Sequence, residues 1–351
     1  MKNIFKIVFV IIGTLIGAGF ASGQEIYLFF FSYGIEGLTG IIVSSVLMGI
    51  TIYKTLALVD VYNIKNYKEY LELFIKLKKE DKYFNLKNII NIVINIFILI
   101  TFFIMIAGFG AYFEQEIGIS NIIGSIILAI LSFIVLMTSV KGVIKANEIL
   151  VPMLIIFVVI IGILNLKNIP MLELDKYIIR ANNSSYILSG ILYCSYNSIL
   201  LIPVLITLKD YIKGRKQIRI ISILTTIITI VLSTMIFLIL VKVDVDITKL
   251  EMPAVYVVSN MFKFLKIIYG FTILSSIFTT AISLGNSFIQ NISKNGKSYP
   301  QITLVMCITS VLVSKIGFSN LINFLYPIYG YLGVLQILGN ILKKTSKTDI
   351  T

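Results

Sequence analysis

The residues with the clearest chemical potential lie near the N-terminus, where glycines and polar side chains interrupt an apolar stretch. Residues 13–25 read Gly-Thr-Leu-Ile-Gly-Ala-Gly-Phe-Ala-Ser-Gly-Gln-Glu, with four glycines in eleven residues. Each glycine weakens a helix by about 1 kcal/mol relative to alanine, so the pattern predicts a helix that unwinds in its middle. In a membrane-embedded helix, unwound backbone is tolerated only where it lines a cavity or binds a ligand.

The two sides of this predicted break offer opposite chemistry. A half-helix that ends near Ile16 has free carbonyl oxygens suited to a cation, and one that begins after Gly19 has free amides suited to a carboxylate. Ser22 to Glu25 has the S-x-x-E form of a capping box, so Glu25 is a candidate for capping or for ion coupling. The alternative is a small-residue face that packs helices together, on which Gln24 and Glu25 would be unusual.

A second polar cluster occupies the middle of the apolar stretch 182–207. Residues 190–198 read Gly-Ile-Leu-Tyr-Cys-Ser-Tyr-Asn-Ser. Polar groups at membrane depth are costly and usually face the interior of a helix bundle. The cluster predicts either a solute-binding surface or ordinary hydrogen bonding between helices. The candidate solute-binding side chains are Tyr193, Ser195, Tyr196 and Asn197.

Hydroxyl side chains form a stripe in the apolar stretch 264–291. They recur at the helical spacing i, i+3, i+4, i+7 and i+11. Together with unwound carbonyls, hydroxyl oxygens would make a hard, weakly charged cage suited to Na⁺, although serine and threonine are also common between packed helices. The stripe consists of Ser276, Thr279, Thr280, Ser283 and Ser287.

Two weaker features lie elsewhere. Glu148, near one end of the apolar stretch 143–166, is a candidate proton-coupling acid or an acid at the membrane surface. The stretch from Tyr326 to Gly333 reads Tyr-Pro-Ile-Tyr-Gly-Tyr-Leu-Gly and predicts a kinked helix that packs against its neighbours.

The composition requires a membrane to hold these elements. Of the 351 residues, 58% are hydrophobic and 13% charged, and the mean hydropathy is +0.97. Soluble domains are about 45–50% apolar and about 25% charged. The chain has no His, and its two Cys lack metal-ligand spacing, so we expect no cofactor other than Na⁺ and no enzyme activity.

Ten apolar segments are each long enough to be a transmembrane helix. The two longest connections, 60–86 and 244–263, predict short surface helices, the second from Pro253 to Phe262. The predicted spans are 4–33, 36–59, 87–113, 118–138, 143–166, 182–207, 218–243, 264–291, 300–317 and 319–342.

The spans divide into two similar halves, 4–166 and 182–342, within a single membrane domain 1–351. Each half has five spans, with its longest connection between the second and third. Because five is odd, the halves must cross the membrane in opposite directions, which predicts a 5+5 inverted repeat with broken helices 1 and 6, as in many secondary transporters.

The basic residues predict the orientation. With the N-terminus in the cytoplasm, 22 of the 30 Lys and Arg fall in inside segments. We therefore expect a multi-pass protein of the bacterial cell membrane with both termini cytoplasmic. The net charge of +13 then reflects topology and indicates no nucleic-acid partner.

The motif 13–25, together with Tyr-Cys-Ser-Tyr-Asn at 193–197, resembles the YkvI family of bacterial membrane proteins, which belongs to the amino acid–polyamine–organocation (APC) superfamily. The resemblance covers essentially the whole chain. It implies an all-α membrane protein of LeuT-type fold, with ten transmembrane helices.

The resemblance also implies a ligand arrangement. In sodium-coupled members of this fold, carbonyls of the first helix and hydroxyls of the eighth hold Na⁺, and first-helix amides hold the solute. The implied sodium ligands are Gly13, Ile16, Ser276, Thr279 and Thr280. The implied solute-binding residues of the first helix are Gly17, Ala18, Gly19 and Phe20, with Ala18 and Gly19 meeting a solute carboxylate.

The sequence thus predicts a Na⁺- or H⁺-coupled symporter for an amino acid or a similar small zwitterion or amine. The alternative is a non-transporting ligand sensor of the same fold, similar to germinant-receptor membrane subunits. A channel is disfavoured because no span carries repeated rings of charge. The expected partners are a small solute and the lipid bilayer.

Overall fold

The computed structural model describes residues 2–74, 83–166, 185–245, 247, 250, 252–261, 263–293, 298–316 and 318–343. Within these residues, all regular structure is helical and no β-strand occurs. The α-helices in chain order are α1 (Lys2–Leu15), α2 (Ala18–Ala21), α3 (Gln24–Phe29), α4 (Glu36–Tyr62), α5 (Tyr67–Glu72), α6 (Tyr83–Tyr112), α7 (Asn121–Leu136), α8 (Ser139–Asn165), α9 (Tyr186–Thr207), α10 (Arg215–Leu240), α11 (Pro253–Ser259), α12 (Lys263–Ile292), α13 (Tyr299–Val313) and α14 (Phe318–Leu342).

Many of these helices suit a bilayer. In the described part of the chain, seven helical segments are long and apolar enough to cross a membrane: α4, α8, α9, α10, α12, α6 with its continuation to Ile117, and α13 with its continuation to Ile316. Three shorter apolar helices, Asn3–Leu15, Asn121–Leu136 and Ile328–Leu342, lie within other predicted spans. The first is short because the chain leaves α-helical geometry at Ile16. The chain is therefore a helical multi-pass membrane protein, and the count of ten spans stays a prediction.

Among the described segments long enough to cross a membrane, α9 has the largest buried share. It packs along α4 on one side and α14 on the other, while α12 packs along α6 and α8. Glycines allow the closest approaches to α9: a Cβ built on Gly190 would lie 2.8 Å from the Gly40 carbonyl oxygen of α4. Small residues bring backbones together in this way in many membrane bundles.

The prediction that the sixth span is broken is wrong in this structure, because α9 runs without interruption from Tyr186 to Thr207. Three of its polar side chains bond within the helix. Ser195 Oγ, Asn197 Nδ2 and Ser198 Oγ each donate to the carbonyl four residues earlier, at 2.7, 3.0 and 2.7 Å. Polar composition in mid-membrane therefore did not require unwinding.

Two short helices occupy the long connections. Helix α5 begins at an Asn66 cap whose side chain accepts from the Glu69 amide, and α11 has Pro253 at its first position. A short helix therefore occurs in each predicted connection, α11 ending at Ser259 rather than at the predicted Phe262, while the surface location of both helices stays a prediction. Residues 75–82 of the first connection lie outside the described part. In each half a long helix is followed by a short one and then by three further helices, α4–α8 in the first half and α10–α14 in the second. The inverted repeat itself stays a prediction.

Candidate solute- and sodium-binding site

The first span is broken as the glycines predict. Helix α1 ends at Leu15. Gly17 then has an extended backbone conformation, and the four-residue helix α2 follows it. A second turn follows at Gly23, whose φ of +85° is in the left-handed region that glycine adopts without strain. The chain therefore enters the protein interior as three helical pieces joined by two turns.

The turn at Ile16 and Gly17, between α1 and α2, places carbonyl oxygens around a hydroxyl of α12. Thr280 Oγ1 lies 2.7 Å from the Gly13 oxygen, 3.2 Å from the Ile16 oxygen and 3.5 Å from the Thr14 oxygen. One hydroxyl proton can serve only part of this set. The surplus of buried acceptors fits a hard, oxygen-seeking cation such as Na⁺.

The two other predicted sodium ligands of α12, Ser276 and Thr279, lie within about one helical turn of Thr280. Ser276 Oγ is 3.5 Å from the Gly17 oxygen and donates at 2.9 Å to Ile273. Thr279 Oγ1 is hydrogen-bonded to carbonyls of its own helix, including that of Ser276 at 3.1 Å. Among the described residues, no group of three or more His, Cys, Asp or Glu could hold a metal ion. The assignment of all five predicted ligands stays a prediction.

Glu25 does not cap α3. The N-cap residue is Gly23, and Ser22 Oγ accepts from the Gln24 amide at 3.4 Å. Glu25 points instead into the bundle, where it is 2% exposed and Oε1 lies 3.4 Å from the Tyr196 hydroxyl. The capping-box interpretation is therefore wrong, because the αL turn at Gly23 restarts the helix without a glutamate cap.

Aromatic rings surround this carboxyl. Tyr196 stacks on Tyr326 with ring centroids 4.3 Å apart, and Phe29 packs edge-on against Tyr193 at 5.3 Å. Tyr193 and Tyr196 were predicted as solute-binding residues, whereas Tyr326 was assigned only to a kink. The sequence places Tyr326 in the last predicted span, but nothing in the sequence indicates that this span packs against Glu25.

The predicted first-helix residues Gly17, Ala18, Gly19 and Phe20 are all buried. Phe20 and Tyr193 border a small internal cavity. Gly19 lies against Glu25, because a Cβ built there would be 2.5 Å from Oε1. The structure therefore brings the first-helix residues together with the tyrosines of α9, while the side chains of Ser195 and Asn197 bond within α9 itself.

The turn at Ser22 and Gly23, between α2 and α3, is hydrogen-bonded to the connection that contains α11. The Ala254 amide donates to the Ser22 carbonyl at 2.9 Å, and Gln24 Nε2 donates to the Leu250 carbonyl at 2.6 Å. Tyr269 of α12 donates to the Ala21 carbonyl at 2.7 Å. These contacts fix residues 21–24, which immediately precede Glu25 in the chain.

We expect Tyr269→Phe to lower the free energy of unfolding by about 1–3 kcal/mol, because it leaves a buried carbonyl oxygen without its partner. The matched control is Tyr256→Phe, which removes an exposed hydroxyl that donates to Asp244 at 2.9 Å and whose pKa this bond raises. Thermal unfolding of the detergent-purified variants measures the difference. Equal melting temperatures for the two variants would contradict a structural role for the Tyr269 hydroxyl.

Glu148 lies apart from this cluster. Its Oε1 is 3.5 Å from Lys6 Nζ, and both side chains are about one-third exposed, at 34% and 30%. Exposed ion pairs contribute about 0–1 kcal/mol to stability. This environment favours the surface role over proton coupling.

For Glu148→Gln, we therefore expect solute-dependent ion uptake to stay within about twofold of wild type, since the lost pair contributes less than about 1 kcal/mol. The measurement is solute-dependent ion uptake into proteoliposomes, compared between this variant and wild type at several pH values. Loss of coupled uptake with normal protein assembly would instead identify Glu148 as a coupling acid.

Comparison with known proteins shows which membrane proteins the chain resembles. The chain is 29% identical over 362 residues to the uncharacterized membrane protein YkvI of Bacillus subtilis, covering 97% of this chain and 96% of YkvI. The predicted resemblance to YkvI is confirmed. The chain is also 27% identical to YyaD of the same organism, over 97% of each chain. No family model matches the chain.

Among solved structures, the chain resembles a Na⁺-coupled sialic acid symporter in a substrate-bound, outward-open state. The TM-score is 0.59 at 14% sequence identity, and the match covers 98% of this chain and 86% of the symporter. The two chains share a fold, which agrees with the LeuT-like fold that the resemblance to YkvI implied.

Proposed function

We propose that the chain is a secondary active transporter that couples entry of a small solute to Na⁺ or H⁺, the solute being an amino acid or a similar small zwitterion or amine. The observation that carries the proposal is the break between α1 and α2, which directs the Gly13 and Ile16 carbonyls at Thr280 Oγ1. Membrane proteins tolerate such unwound backbone where it lines a cavity or binds a ligand.

The fold supports a mechanism of alternating access. In this proposal, the ten spans form a 5+5 inverted repeat, and spans 1, 2, 6 and 7 rock against the others about the site. Both termini lie in the cytoplasm and the protein resides in the cell membrane. Binding of Na⁺ between α1 and α12 would favour one arrangement over the other, since an ion shifts a conformational equilibrium through its differential affinity.

Reconstitution with a mixture of candidate solutes tests the proposal. Purified protein in proteoliposomes would be given a mixture of amino acids and small aliphatic amines, with ²²Na⁺ and an internal pH dye reporting ion movement. Solute-dependent uptake of either ion is the expected result. Solute binding in detergent without any ion or solute flux would contradict transport and favour the sensor of the same fold.

A further inference from the structure

The Glu25 carboxyl is buried in the described interior and has one oxygen without a hydrogen-bond partner. Oε2 has no hydrogen-bond partner, although Oε1 is within reach of Tyr196. Glu25 takes part in neither the Lys6–Glu148 nor the Lys266–Glu116 ion pair. A charge buried in an apolar bundle is strongly unfavourable unless another charge or a set of hydrogen bonds compensates it. The carboxyl therefore needs a cation or a proton from outside the chain.

The groups around this carboxyl are suited to an organic cation. The hydroxyls of Tyr193 and Tyr326 and the Phe20 backbone also face it. Three tyrosine rings and that of Phe29 offer π faces and edges nearby. Ammonium groups bind to aromatic faces and donate to carboxylates, so both features favour the same ligand.

The position of Glu25 also disfavours an anionic group on the solute. A Cβ on Gly19 would lie 2.5 Å from Oε1 and 2.9 Å from Cγ, so the carboxyl rests directly on this glycine. The resemblance to sodium-coupled members of the fold implied that the Ala18 and Gly19 amides meet a solute carboxylate. The glutamate side chain packs against Gly19, so a solute carboxylate at the Gly19 amide would lie near a like charge.

We infer that the solute is a small primary amine without a carboxylate, whose ammonium group pairs with Glu25 Oε2 and packs against the tyrosine rings. This inference rests on the proposed function and narrows its solute class from zwitterion or amine to amine. The internal cavity beside Phe20 and Tyr193 is small and mostly apolar, with Ser45 on its wall. This cavity has a volume of about 10 Å³, room for about one water molecule, and Glu25 does not line it, so a bound amine requires the bundle to open beside Glu25.

Three probes with one carbon skeleton test the inference: isobutylamine, valine and isobutyrate. The purified full-length chain is examined by thermal shift with each probe at a fixed Na⁺ concentration. We expect isobutylamine to raise the melting temperature, because a ligand stabilises the state that it binds, and isobutyrate to leave it unchanged. A larger shift with valine or isobutyrate, or no shift with any probe, would overturn the amine assignment.

Two substitutions then test the role of the carboxyl. Glu25→Gln keeps the shape of the side chain and should reduce isobutylamine affinity at least tenfold, while Glu25→Asp keeps the charge and should retain part of it. An isobutylamine shift in Glu25→Gln equal to that of wild type would exclude the proposed pairing. If Glu25→Gln does not fold, the ranking of the three melting-temperature shifts on the wild-type protein still tests the amine assignment. Because these measurements report binding, amine binding without flux would contradict transport but leave this inference standing.

Discussion

Thr280→Ala is expected to weaken the apparent Na⁺ affinity of the protein by about 10- to 100-fold. The substitution removes a side-chain oxygen that contacts both the Gly13 and the Ile16 carbonyls. Interactions of polar groups with a charge contribute about 1.5–3 kcal/mol, and every 1.4 kcal/mol is a factor of ten in affinity. The measurement is the melting temperature as a function of NaCl concentration, with KCl holding the ionic strength constant.

Two variants control this experiment. Thr280→Ser restores the hydroxyl and should recover most of the Na⁺ response. Thr272→Ala removes a hydroxyl of the same helix that donates to the Ile268 carbonyl at 2.9 Å, so it should leave the Na⁺ response intact. An unchanged response in Thr280→Ala would remove this residue from the site. A wild-type protein that responds equally to NaCl and KCl would contradict a sodium site and leave the proton as the coupling ion.

The break in the first span was predictable because its cause is local. Glycine spacing weakens a helix wherever the segment lies in the fold, and the conformation at Gly23, with φ +85°, is one that glycine provides at low cost. The hydroxyl stripe of α12 was predictable for a similar reason, since helical periodicity sets which side chains share a face. Its proximity to the broken helix came from the resemblance rather than from the stripe itself.

The direction of the Glu25 side chain was not predictable in this way. The capping box is a local pattern, and it competes with burial among tyrosines that lie more than 160 residues away in sequence. Tyr196 and Tyr326 come from different helices, and their stacking depends on how α9 and α14 pack. Local sequence carries no information about such a pair until the packing is known.

For α9, the sequence predicted a break that the structure does not contain. Its central polar cluster looks like the broken first span in composition, but it has one glycine, Gly190, where the first span has four. Ser195 and Ser198 bond back to their own helix, and such bonds need no unwinding. Glycine density was therefore the informative signal, and polarity alone was not.

Gly333→Ala is expected to lower the free energy of unfolding by about 1–3 kcal/mol, the usual cost of overpacking. A Cβ at Gly333 would lie 2.1 Å from the Ser195 carbonyl oxygen and 2.5 Å from its carbonyl carbon. These are backbone atoms in the middle of α9, so they cannot rotate away as a side chain would, and α9 and α14 must separate. The melting temperature in detergent measures the loss.

The matched control is Gly339→Ala on the same helix, where the nearest atom to a new Cβ is a Phe74 ring carbon at an ordinary 3.4 Å. This change should be neutral or slightly stabilising, since alanine is the better helix former. The separation caused by Gly333→Ala should also reach the site, because Ser195 precedes the tyrosine that stacks on Tyr326. We therefore expect Gly333→Ala, but not Gly339→Ala, to weaken solute binding as well as stability. Equal effects of the two variants would mean that glycine at position 333 is not what brings α14 against α9.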